Sequence, residues 1–406
     1  MLLEPENSMI YNRRAFVTAL VALGGCSTNS NEMITPSEHS SRLNRTGKWP
    51  FVRHDIKNTA YLSHIESISE PKFCWTTSFE SKETRYESPS VITESHLLLS
   101  NYGNKSAEAV NPHDASHLWS LKLPGRPEHS PCIVGDMSVI PAGSYLIICE
   151  LSNGDIHHSL ELSGVTGPPI VDHNTVFVGT SAGNPKAYAI DLLSGNIIWK
   201  HSTNVITTPP SITGSIVVYT DWSGKVYSID VSDGSVRWEF STKGEFIRSA
   251  PVIKSGIVYV CAGTNRTESW VYAFDIEDGE KRWQKHLTDA SISASPAADS
   301  SKLYVVDDKS RVHALDLITG ERQWKTRGRR NAVPRPTVDQ SPVVTDSHLY
   351  YVTGDQSIMA VSTASGDRHW RKEIQFDVRT SPSLTPEGVI LTGAKDIISL
   401  CSRSDH

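Results

Sequence analysis

From residue 71 to 402 apolar and polar positions alternate in short runs, and the runs recur in the same order. The clearest copies read AYAIDLLSGNIIW at 187–199, VYSIDVSDGSVRW at 226–238 and VYAFDIEDGEKRW at 271–283. VHALDLITGERQW at 312–324 and IMAVSTASGDRHW at 358–370 follow more loosely. Alternation with period two predicts a strand with one face toward each neighbouring layer. The Asp that closes most of these runs, with Gly a few residues on, predicts a hairpin, because glycine takes the positive φ that the turn needs. A proline opens each unit just before a further apolar run: Pro89, Pro131, Pro169, Pro210, Pro251, Pro296, Pro342 and Pro382. Their spacings of 42, 38, 41, 41, 45, 46 and 40 residues define a period near forty. Short strands at that period predict a β-propeller. One four-stranded sheet cannot bury both faces alone, so the blades must pack around a ring. The expected fold is therefore all-β, an eight-bladed β-propeller of four-stranded antiparallel blades.

A second marker recurs out of phase with the prolines: Trp75, Trp119, Trp199, Trp238, Trp283, Trp324 and Trp370, with Leu160 where an eighth is due. A ring at a fixed repeat position is expected to dock one blade on the next. The A-x-D-x-x-T-G-x-x-x-W unit followed by S-P-x-V resembles the pyrroloquinoline-quinone-type propeller repeat over 71–402. The segment WPFVRHDIKNTAY at 49–61 resembles the stretch that precedes the ring in secreted members of that family. The resemblance implies one of several things: a quinoprotein dehydrogenase, a relative of the bacterial outer-membrane assembly lipoprotein, or an archaeal surface protein.

The repeats are out of register with the chain ends. The unit begun at Pro382 stops before its tryptophan strand, and the strand KFCWTTSF at 72–79 has no unit before it. The N-terminal strand is therefore expected to complete the last blade, which leaves no unpaired edge. Superposing that blade on the others sets Cys401 opposite Cys74, as Asp191 would face Ile198. A disulfide and two separately buried thiols both remain open. Cys132, Cys149 and Cys261 lie in strand-like runs and read as core. With no CxxC, a thiol metal site has little support.

The N-terminus reads as an address. Arg13-Arg14 before the apolar run 15–23 resembles a twin-arginine signal, and Leu23-Gly24-Gly25-Cys26 resembles a lipobox with Cys26 lipidated. Residues 1–25 are then a signal peptide, with Met1 or Met9 as the start. Residues 26–48 form a polar, disordered tether, and 49–406 form the propeller. The expected location is the outer face of the cell membrane. Sequons stand at Asn44, Asn104 and Asn265. A formal charge of −6 leaves no nucleic-acid footprint, and a monomer is expected.

With strands named A (after the proline) to D (carrying Trp), the D–A and B–C connections share one face. That face is where a propeller is expected to bind. Residues three before each proline should ring its mouth: Tyr86, Glu128, Thr166, Thr207, Arg248, Ser293, Asp339 and Arg379. The longest D–A connection, 325–341, carries Arg327, Arg329, Arg330 and Arg335, which suit carboxylate, phosphate or sulfate. Trp222, in a B–C hairpin, departs from the repeat. These residues with Arg248 and Arg379 form the candidate partner face, for a protein or an anionic glycan. No catalytic residue, metal ligand or cofactor is assigned. G-x-S-x-G, HExxH and P-loop patterns are absent. The alternative is a quinone- or metal-dependent oxidoreductase. Against it stand the lack of an adjacent Cys-Cys pair, of CxxCH, and of an Asp/Asn cluster matching that family's calcium site.

Overall fold

The structure, a computed structural model, describes residues 49–65, 68–78, 84–243, 249–264, 268–328, 341–378 and 380–402. Within them eight antiparallel blades follow one another around a ring. Blade 3 shows the plan, with strands Ile170–Asp172, Thr175–Gly179, Lys186–Asp191 and Ile197–Ser202. Strands A to C are almost wholly buried, and D alternates as the outer strand. Blades 1 to 7 span 91–122, 132–161, 170–202, 211–241, 252–288, 297–325 and 343–373. Blade 8 joins 383–402 to Pro71–Ser78, which lies antiparallel beside Asp396–Ser402. The ring is thus closed by the N-terminal strand, as the split repeat predicts.

Each blade docks on the next through its D strand. The indole Nε1–H of Trp119, Trp199, Trp238, Trp283 and Trp324 donates to the carbonyls of Leu151, Val231, Ile276, Leu317 and Thr363, at 2.8–3.0 Å. Trp370 donates to the Ile68 carbonyl at 2.5 Å, so the incoming N-terminal chain supplies this dock for blade 8. Trp75 is half-buried against the core shared by blades 6, 7, 8 and 1. The ring lies so close to the next blade's C–D turn that only glycine fits there. At Gly279, with φ of +72°, a Cβ would stand 2.6 Å from Trp238. In blade 2 the register pairs Ile148 with His158, so His158 fills the docking position and not Leu160. Its ring packs beneath Gly195, and Nε2 bonds the Leu193 carbonyl at 2.7 Å.

The serine of S-P-x-V links neighbouring blades near the axis. Its hydroxyl accepts from the backbone of the preceding blade: Ala250 to Ser295, Ser295 to Ser341, and Ser341 to Ser381, at 2.8–3.1 Å. The C–D pairing corrects one expected register. The residue before each Trp is a bulge residue, so Ile198 does not face Asp191, and Lys72, not Cys74, pairs with Cys401. Cys74 still reaches Cys401 diagonally, at a Cα separation of 6.0 Å, in disulfide position.

Residues 49–62 form a clasp across the ring. Trp49 exchanges both backbone bonds with Ile92 of blade 1. The carbonyls of Pro50, Ile56, Lys57, Thr59 and Ala60 then accept from Ile133, Ile212, Ile253, Ala298 and Val344, in blades 2, 4, 5, 6 and 7. Tyr61–Leu62 finally pairs parallel with Val344 and Thr345. To curl this way the chain takes left-handed φ at His54, Asn58 and Ala60, a conformation unfavourable for side chains with a Cβ. Two buried side chains secure it. Arg53 donates to the carbonyls of Pro342 (3.3 Å), Ser295 (3.4 Å) and Pro296 (2.5 Å). Asn58 Nδ2 donates to the carbonyls of Pro210 (2.9 Å) and Pro251 (3.1 Å) and to Ser211 Oγ (2.8 Å). The clasp meets six of the A strands two or three residues past their marker prolines. It therefore sits toward the A–B turns, while the D–A and B–C connections belong to the opposite face.

Candidate partner-binding site

Blade 6 has a short outer strand. Arg322–Lys325 has four residues, where the other D strands have six or eight. Thr326 stays tied to Val312 through its backbone N–H and its hydroxyl, at 3.0 and 2.9 Å, and the chain then leaves the sheet. The seam beside blade 7 opens there into a groove of about 650 Å³. Its walls carry Lys325, Arg327, Arg368 and Arg371, against a single acid, Asp367. Behind these lie Tyr351, Met359 and Val361, of which Met359 is only half-buried.

The groove's upper edge is held by the B–C hairpin of blade 6. Burial alone would raise the Asp307 carboxyl, but hydrogen bonds from His313, at 2.9 Å, and Arg311, at 2.6 Å, hold it below the usual carboxylate range. The same carboxylate accepts from the Lys309 and Arg311 backbone, which fixes the turn carrying Ser310 into the groove. Burial, and then the Arg311 guanidinium, keep the Lys325 ammonium below the ordinary lysine range. Burial pushes the Tyr351 phenol up to about 12, so it stays a neutral donor.

Of the residues singled out in the sequence, Arg327 lines this groove and Trp222 does not. Trp222 is half-buried and donates to Thr207 Oγ1 at 2.9 Å, so its ring is engaged within its own blade. Arg248, Arg329, Arg330, Arg335, Arg379 and Asp339 lie outside the described residues, as do Cys26, Asn44 and Asn265. The expected mouth ring is uneven. Glu128 and Ser293 are exposed, but Tyr86 and Thr166 are buried. Tyr86 is held by Glu108 inside blade 1. Asn104 is part-buried in a B–C hairpin, with Nδ2 on Thr84 Oγ1 at 3.4 Å. Cys132, Cys149 and Cys261 are buried free thiols, and burial pushes Cys149 up to about 11 and Cys261 up to about 12. Thiols so placed stay protonated and unreactive at neutral pH. Lys325, Arg368 and Arg371 were not singled out from the sequence. The signal available was the early stop of blade 6 at ERQWK before a long connection.

The family model described as outer membrane protein assembly factor BamB matches residues 75–326 and 267–400. No curated protein matches the chain in sequence. Among solved structures, BamB from Moraxella catarrhalis is 14% identical with a TM-score of 0.68, covering 83% of this chain and 99% of its own. A europium-containing methanol dehydrogenase is 10% identical with a TM-score of 0.74, covering 90% and 100%. The quinohemoprotein alcohol dehydrogenase from Comamonas testosteroni is 10% identical with a TM-score of 0.72, covering 91% and 84%. At such identities the likeness is one of fold. Among the described residues no three His, Cys, Asp or Glu side chains converge on a metal position. The three free cysteines among the described residues are each buried, and no two cysteines are adjacent in sequence.

Proposed function

The chain belongs to the family of outer membrane protein assembly factor BamB, and on that premise we propose that it is a binding module of the cell envelope. In this reading the propeller holds a protein or anionic glycan partner on its D–A and B–C face and performs no chemistry. The observation that carries it is the groove beside blade 6, which is lined by Lys325, Arg327, Arg368 and Arg371 with Asp367 as the one acid in its lining, Arg371 being paired with Asp355 and Glu373. The connection leaving it adds Arg329, Arg330 and Arg335 in sequence. Exposed cations of this kind attract carboxylate, sulfate or phosphate, and the attraction is screened beyond about 8 Å at physiological salt.

The test is capture from detergent-solubilised membranes. Replacing Arg329, Arg330 and Arg335 with Ser should lower capture several-fold, with thermal unfolding nearly unchanged. Raising the salt should weaken the wild type toward the variant. Equal capture by both would remove the basic connection from the binding face.

Attachment through a lipid on Cys26 belongs to the same proposal, and the twin-arginine and lipobox patterns support it. A Cys26→Ser chain should move from the membrane fraction to the soluble one. Retention in the membrane fraction would discard the anchor.

A further inference from the structure

We infer that the seam between blades 6 and 7 takes an extended peptide whose side chains alternate between apolar and acidic. This deepens the proposed binding role and rests on it, by naming what the partner presents.

The first observation is a seam where the outer strand is at least two residues shorter than its neighbours and the side chains facing it are small. In the seams before blades 4 and 5 the strand-C residue just ahead of the one paired with Trp is a ring that meets the preceding blade, whereas blades 1, 2 and 8 carry Glu108, Ile147 and Ile398 there. Tyr227 lies edge-on to His201 at 5.9 Å, and Tyr272 packs on Phe240 at 6.0 Å. In blade 7 that position is Met359, and across the seam the residue two past Trp324 is Thr326, smaller than the His201 and Phe240 that stand two past Trp199 and Trp238. Among the described residues the space runs from Ser310 and Gly328 to the turn at Ser365, Gly366 and Asp367. A segment of about six residues, at ~3.3 Å per residue, spans a neighbouring outer strand such as Arg368–Glu373.

The second observation is chemical. The inner wall offers a flexible thioether backed by Val361 and Tyr351, which suits apolar side chains of varied shape. The rim is cationic. Arg371 is engaged by Asp355 at 3.0 Å and Glu373 at 3.1 Å. Lys325, Arg327 and Arg368 have no ion-pair partner among the described residues. An extended chain sends successive side chains to opposite sides, so alternating apolar and acidic residues satisfy wall and rim together. A sulfated glycan would engage the rim and leave the wall unfilled.

The probe is a fluorescent, end-blocked octapeptide alternating glutamate and valine or leucine, titrated onto the whole protein. Its lysine-for-glutamate counterpart and heparin serve as comparison ligands. The acidic peptide should bind, and the lysine version should not. Arg327→Ser with Arg368→Ser should weaken it about tenfold or more. Met359→Trp, which fills the wall, should do the same while the unfolding temperature stays near wild type. Met359→Gln, a smaller change, guards against misfolding and should weaken it less. Binding that survives both Met359 variants but is lost with the rim variant would show a charge-only contact and overturn the assignment. Heparin binding with no peptide binding would overturn it in favour of a glycan. If neither ligand binds, the groove is not the site. Partner capture that persists in the Met359→Trp chain would then leave the broader binding role standing, whereas wild-type chains that capture nothing would remove that role itself.

Discussion

Arg53→Ala should be among the most damaging single substitutions in the molecule. The side chain is 1% exposed, and its guanidinium serves carbonyls of blades 6 and 7 in a region where water cannot readily replace it. Truncation leaves those acceptors unpaired, at about 1–3 kcal/mol each before relaxation. A net loss of about 3–5 kcal/mol is expected, at the upper end for one residue. Asn58→Ala should follow the same course, since Asn58 bridges blades 4 and 5 through the Pro210 and Pro251 carbonyls. Urea unfolding of the full chain followed by tryptophan fluorescence reads both. A loss below about 1 kcal/mol for each would mean that the ring holds itself closed and the clasp is only a lining. Arg53→Lys separates charge from geometry: one ammonium cannot reproduce a planar fork, so it should recover only part of the loss.

The second large effect is expected at the ring's seam. Cys74 and Cys401 are 327 residues apart in sequence and 6.0 Å apart at Cα. A cross-link closing so long a loop removes much of the unfolded chain's freedom, and loss of such a bond typically costs about 2–5 kcal/mol. Cys401→Ser should lower stability by that order, and dithiothreitol should do the same to the wild type and nothing further to the variant. Under non-reducing conditions alkylation of the unfolded chain should spare these two thiols and label Cys132, Cys149 and Cys261. Labelling of Cys74 and Cys401 without reductant would rule out the bond. The bond also bears on compartment, because disulfides persist outside the reducing cytosol, which agrees with the proposed export.

Blade number, strand order and the closing strand were all legible in the chain. A repeat writes the same local rules eight times: alternation sets the strands, Asp and Gly set the turns, and Pro marks the start. Errors in one unit are corrected by the others. The cysteine pair was legible for the same reason, although its register was not: the bulge before each tryptophan shifts pairing by one residue, and nothing in the alternation signals it. The docking residue of blade 2 failed similarly. His158 lies two residues before Leu160, and only pairing with Ile148 identifies it.

What the sequence could not supply is whatever depends on two distant segments meeting. Arg53 and Asn58 read as ordinary polar residues before the first blade. They become buried cross-braces only because residues 49–62 are drawn across six A strands. The groove is also a tertiary product: Met359 alone is unremarkable, and becomes part of a wall because it faces the short outer strand of the neighbouring blade across the seam. Local periodicity determined the fold, since each blade forms from contacts within about forty residues. The clasp and the groove were decided by packing between blades, where the free energy depends on which surfaces the closed ring brings together.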